Sequence, residues 1–188
     1  MLLNLSDIRL PRELEADDSA TAIRRILSAR TTTLWPGGNQ EVPVISMTDP
    51  LEQALVNARL KEQIRCGFDA IVEKLRSEKK GIMNVRAQRC ALYGNRVSRL
   101  ILLSNDGAER LYRHIERLLQ DHSPRVLACL LDIDNSILGR LLLIAGKDRQ
   151  IKVVMAEHKE AVSDLLRAIL NCASANQKPS SSGGDWLS

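Results

Sequence analysis

The sequence predicts an α+β fold, and three observations carry that prediction. Apolar residues recur at three- and four-residue steps in several stretches, most plainly from Leu51 to Leu75. Dense aliphatic runs follow in the second half, among them Val97–Leu103, Val126–Ile133 and Ile137–Ile144. The apolar fraction is 44%, near the globular norm of about 45–50%. Aromatics make up only 3%, so the core must be built from Leu, Ile, Val and Ala.

Taken in order, residues 1–48 read as an N-terminal arm with one short helix and a Pro/Gly loop. Ser19 is placed to cap a helix running to about Arg30, with Ile23, Ile26 and Leu27 on one face. Thr31 to Gln40 reads as a loop around Trp35-Pro36-Gly37-Gly38, and Glu41 to Ser46 as a short strand limited by Pro43. An α+β domain is expected over 49–173. It opens with Asp49 as N-cap, Pro50 at the first helical position and Glu52 completing a capping box. Leu51, Leu55, Ala58, Ile64, Phe68, Ile71, Val72 and Leu75 keep helical spacing, so one long amphipathic helix is predicted to about Lys79, ended by Gly81.

Residues 82–92 read either as a strand or as a helix through Ala87 to Leu92, followed by a Tyr93-Gly94-Asn95 turn. Val97–Leu103 reads as a buried strand. Asp106 caps the next helix, with Glu109 three residues on and Leu111, Ile115, Leu118 and Leu119 as its buried stripe. Val126–Ile133 and Ile137–Ile144 read as two strands around an Asp134-Asn135-Ser136 turn. Gly146-Lys147-Asp148-Arg149 turns into a third, Ile151–Met155. Ala161, Val162, Leu165, Leu166, Ile169 and Leu170 mark a last helix, and 174–188 reads as a disordered tail.

The predicted order is thus a long helix, then two strands, a helix, three strands and a helix, in an antiparallel sheet packed by helices. That order is similar to the roadblock/longin-like class of small dimerising modules, an analogy of order alone that licenses no function.

Composition narrows the chemistry. The net charge is +4, mildly basic. The shortage of aromatics argues against a reader that stacks single-stranded bases. Cys66, Cys90, Cys129 and Cys172 lack zinc-ribbon or thioredoxin spacing and sit among aliphatic residues, as structural thiols do. The N-terminus lacks a basic segment and an apolar run of signal-peptide length, and no stretch reaches the roughly 18 apolar residues of a membrane span. A cytoplasmic location, with no membrane partner, is the expectation.

Catalytic signatures are incomplete. Gly139 and Gly146-Lys147 miss the phosphate-loop spacing. His114, His122 and His158 form no ligand pair, so no metal and no cofactor is expected. Leu130-Leu131-Asp132-Ile133-Asp134-Asn135-Ser136, an aliphatic run ending in Asp-x-Asp-x-Ser, resembles the first motif of haloacid-dehalogenase-type phosphatases. The resemblance implies Asp132 as nucleophile, Asp134 as acid/base and a magnesium ion. The motif normally stands near the start of its domain, whereas only 52 residues follow Ser136 here, and the downstream acidic pair has no counterpart. Turn chemistry explains the same residues more simply.

The strongest surface signal is basic. Lys74, Arg76, Lys79, Lys80, Arg86, Arg89, Arg96 and Arg99 face the single acid Glu78 in that stretch, and Arg110, Arg113 and Arg117 form a stripe with His114 on the next helix. Such zones are usually solvated faces, with Glu109 and Glu116 pairing some of the arginines. If they share one face they could bind an anionic partner, whether nucleic acid or protein. The leading expectation is a non-enzymatic protein–protein interaction module: an adaptor or assembly subunit that forms a homo- or hetero-oligomer. A nucleic-acid-binding protein and a phosphatase-like enzyme are the alternatives.

Overall fold

A computed structural model of the chain describes residues 5, 7–89, 95–142 and 150–175, without the side chains of 86–89 and 172–175. In chain order the described elements are α1 (Arg12–Ala16), α2 (Ser19–Ala29), β1 (Thr31–Thr33), β2 (Glu41–Ile45), α3 (Asp49–Leu60), β3 (Ile64–Cys66), α4 (Phe68–Arg89), β4 (Arg99–Leu103), α5 (Glu109–His122), β5 (Val126–Leu131), α6 (Asn135–Leu142), β6 (Val153–Ala156) and α7 (Lys159–Ala175). The strands form one sheet in the order β1-β2-β5-β4-β6-β3. This is the α+β class the sequence predicts.

The sheet is covered on both sides, which is why its inner strands are aliphatic without alternation. On one face Leu100 and Leu102 of β4, Leu127, Cys129 and Leu131 of β5, and Val154 of β6 pack against α1, α2, α3, α6 and α7. On the other, Ile101 and Leu103, Val126 and Ala128, and Val153 and Met155 pack against α4 and α5. The two-residue period of a strand sends successive side chains to opposite cores. Each fully buried leucine in such a layer contributes about 1.5–3 kcal/mol.

Strand directions depart from the expected antiparallel arrangement. β2, β5 and β4 run parallel, while β1, β6 and β3 each run antiparallel to a neighbour. The parallel pair β4–β5 follows from the crossover through α5, which returns the chain to the start of the sheet before β5 begins.

The long helix predicted over 49–79 is two helices with β3 between them. Glu62 takes a left-handed conformation, φ 54°. There the Gln63 N–H donates to Ala58 O (2.9 Å) and the Glu62 N–H to Arg59 O (3.0 Å). This is the paired bonding of a helix C-terminal stop, made without the usual glycine. The expected stripe divides at the break: Leu51, Leu55 and Ala58 face the core on one side of the sheet with Ile64 packed against it as a strand residue, whereas Ile71 and Leu75 face the core on the other side. Gly81 lies inside α4, which runs on to Arg89, so the helical reading of 82–92 holds as far as that residue. An exposed helical glycine costs only about 1 kcal/mol. Cys90 to Gly94, and with them most of the expected turn, lie outside the described residues.

Residues 137–144, expected to be a strand, belong to α6 as far as Leu142. Asp134 accepts from the N–H groups of Ser136 and Ile137, both at 2.8 Å, and so caps that helix rather than turning a hairpin. The expected turn at 146–149 and the tail beyond Ala175 lie outside the described residues. Two other caps also differ. Thr48 occupies the N-cap of α3, with Asp49 and Pro50 inside the first turn, and Ser19 is the first residue of α2 instead of its cap.

The segment read as an arm belongs to the same core. Leu10, Leu14, Ile23 and Leu27 are fully buried, and β2 pairs with β5 through Val44 and Ile45. The threonines expected in a loop form edge strand β1 against β2. The pattern there is sparse because α1 and β1 are too short to show a period.

Candidate functional site

The acids singled out in the sequence meet at the carboxyl ends of the parallel strands, and each is taken up by the backbone. Asp132, just past β5, accepts from the Met47 N–H at 2.8 Å, while its own N–H donates to Ile45 O. It thereby ties the end of β5 to the end of β2. Asp134 caps α6. Asp106, expected to cap α5, instead accepts from the Asn135 N–H (3.0 Å) and from the Asn135 side-chain amide. The N-cap of α5 is Ala108. Asp132, Asp134 and Asp106 therefore fasten three loops at one edge. Among the described residues no three His, Cys, Asp or Glu side chains gather as a metal site.

The histidines take separate places. His114 stacks on Phe68 with ring centroids 5.8 Å apart, joining α5 to the start of α4. His122 is buried at the end of α5. Burial, helped by the nearby charges of Lys79 and Arg125, holds its imidazole below the ordinary value. His158 is exposed at the start of α7. Of the cysteines, Cys129 is a free thiol pushed up to about 12 by burial, an inert core group. Cys66 is free and partly buried, and burial raises it too. Cys90 and the Cys172 side chain lie outside the description.

The helices that carry most of the two basic zones are neighbours. α4 and α5 lie side by side over one face of the sheet, joined by the Phe68–His114 stack and by Lys79 Nζ, which donates to Asp121 O at 3.2 Å. The cations divide in role. Arg99 is structural: with Arg125 it grips Glu78, at 2.7 and 2.9 Å respectively. Burial raises the Glu78 carboxyl, but hydrogen bonds and charge from these two arginines outweigh burial and hold it below the ordinary glutamate value. Lys74 lies 3.9 Å from both Glu78 and Glu157, and Arg96 donates to Leu10 O at 3.1 Å. Arg113 pairs with Glu109 and lies 4.5 Å over the Trp35 ring. Arg76, Lys80, Arg110 and Arg117 are exposed and have no hydrogen-bond or ion-pair partner among the described residues. The side chains of Arg86 and Arg89 lie outside the description.

Trp35 is held in place rather than displayed. Its indole N–H donates to Glu116, whose other oxygen accepts from the N–H groups of Asn39 (2.8 Å) and Gln40 (3.0 Å). Glu116 is only 7% exposed, so it does not serve as the expected partner of a surface arginine. A signal existed in the sequence: Tyr112, Glu116 and Leu119 follow at steps of four and three, which places Glu116 on the buried face. Arg125, outside both basic zones, was reachable only through the fold.

Among the described residues no helix is long and apolar enough to cross a membrane. Compared with known proteins, the chain matches no protein-family model and no curated protein sequence.

Proposed function

We propose that this chain is a non-enzymatic protein–protein interaction module, an adaptor or assembly subunit of a larger cytoplasmic complex, that docks an acidic partner surface on the outer face of α4 and α5. One observation supports the reading. The helices that carry most of two zones separated in sequence lie side by side, and Arg76, Lys80, Arg110 and Arg117 there are exposed without partners among the described residues. Exposed cations on a two-helix layer steer association and select against like-charged partners. Beyond them the same face carries Met83 at 61% exposure, an apolar side chain of the kind that anchors interfaces.

Nucleic acid is the second reading, through sequence-independent phosphate contact. The acids Glu73, Glu109 and Asp121, exposed on the same two helices, weigh against it. A uniformly negative backbone would meet them, whereas a protein surface can match charges of both signs.

The experiment is capture from native extract with the parent chain and with the Arg76→Glu/Arg110→Glu/Arg117→Glu triple variant, each with and without nuclease. A defined protein partner retained by the parent, resistant to nuclease and lost from the variant is the expected result. Loss on nuclease treatment would transfer the reading to nucleic acid. A monomeric parent that retains no partner would end both.

A further inference from the structure

A second feature lies away from the α4–α5 basic face. A cavity of about 810 Å³ opens beside β3, within the range of roughly 300–1,000 Å³ usual for small-molecule sites. Part of its wall, Lys152 and Val153, stands at the end of the sheet where β4 and β5 finish. There Lys152 O accepts from the Ser104 N–H just past β4, and Val153 O from the Gly67 N–H. In open sheets with parallel strands, ligands bind outside those carboxyl ends.

The lining combines two chemistries. Phe68 and Leu111 offer apolar surface, while Arg59, Arg65 and Lys152 offer positive charge. The acids Glu62 and Glu157 partly balance them. Arg65 is committed to Glu157 through two hydrogen bonds, at 2.9 and 3.2 Å. Arg59 and Lys152 are left against Glu62, an excess of one positive charge. Arg59 is steadied by donating from Nε to Leu142 O at 3.2 Å, and its outer N–H groups have no hydrogen-bond partner among the described residues. Gly67 adds open room, since no atom lies within 4 Å of where its Cβ would be.

We propose that this cavity binds a small organic anion: a single negatively charged group carried on an aromatic or aliphatic body. The charge is met by Lys152 and Arg59, and the body by Phe68 and Leu111. A polyanion fits poorly, because Glu62 and Glu157 would oppose the second charge. The proposal does not depend on the docking face, whose cations lie elsewhere on α4 and α5.

Two fluorescent probes of nearly identical shape test it. Anilinonaphthalenesulfonate carries one negative charge, and phenylnaphthylamine is the same skeleton without the sulfonate. The expected result is saturable binding of the sulfonate at one site per chain, with amide chemical-shift changes centred on Gly67 and Lys152. Its affinity should fall about tenfold in Lys152→Ala and further in Lys152→Glu, with thermal unfolding unchanged. The neutral probe should bind more weakly and be indifferent to both variants. Equal binding of the two probes, sulfonate binding insensitive to Lys152, or shifts centred on Arg76 and Arg117 instead would each overturn the proposal. So would no binding at all.

Discussion

The indole N–H of Trp35 donates to the carboxylate of Glu116, a residue on a different element and far along the chain. The same carboxylate also takes the N–H groups of Asn39 and Gln40, so one acid closes the whole Pro/Gly loop onto α5. Replacing Glu116 with Ala leaves three N–H donors without their acceptor at a buried position. We expect a loss of about 3 kcal/mol, given roughly 1–3 kcal/mol for each buried group left unpaired and some rescue by water. Glu116→Gln should cost less, because one amide oxygen can still accept. Urea denaturation measures both, and a red-shifted tryptophan emission before global unfolding would mark local release of the loop.

The same loop leaves no room around the indole. A Cβ on Gly37 would stand 2.3 Å from Trp35 Cζ3, and one on Gly38 3.1 Å from the Trp35 carbonyl oxygen. Gly37→Ala should therefore destabilise by about 1–3 kcal/mol, the range for overpacking. In a Trp35→Ala background the penalty should nearly vanish. A double-mutant cycle by thermal unfolding checks this, and additive effects would show that the clash is not the cause.

The Glu78 cluster predicts a pH dependence. Its carboxyl is held below the ordinary 4.5 in the folded state by Arg99 and Arg125, which outweigh the opposing effect of burial. A group lowered on folding stabilises above its unfolded value, and that contribution disappears as pH falls through the folded value. The parent should exceed Glu78→Gln by about 2 kcal/mol at neutral pH, less than a fully buried pair because some solvent contact remains. The margin should hold above about pH 4.5 and shrink below it. Denaturant midpoints taken across this range test the sign, and a margin that grew on acidification would contradict it.

Asp134→Ala should cost about 1 kcal/mol through loss of the α6 cap, and Asp134→Asn much less, since asparagine caps nearly as well. If the Asp-x-Asp segment instead acted as its phosphatase resemblance implies, the parent would hydrolyse phosphate esters with magnesium, and Asp132→Asn would abolish it. A panel of phosphate esters measured beside the stability data separates these outcomes.

Much of this protein was legible in the sequence alone. The α+β class, the strands β4, β5 and β6, and the helices α2, α5 and α7 all follow from local periodicity and dense aliphatic runs, which report burial residue by residue. Tertiary structure decided what local pattern leaves degenerate. Leu138 and Leu142 sit four apart in a run that suits a strand or a helix equally, and the Asp134 cap settles it as α6. The residues from Leu51 to Leu75 that read as one stripe divide between the two faces of the sheet, because the chain breaks at Glu62 in a conformation that its residue type does not advertise. The bonding of Glu116 and Glu78, and the placing of α4 beside α5, depend on which elements the sheet sets side by side. A sequence period records that a side chain is buried, and only the packed fold determines against what.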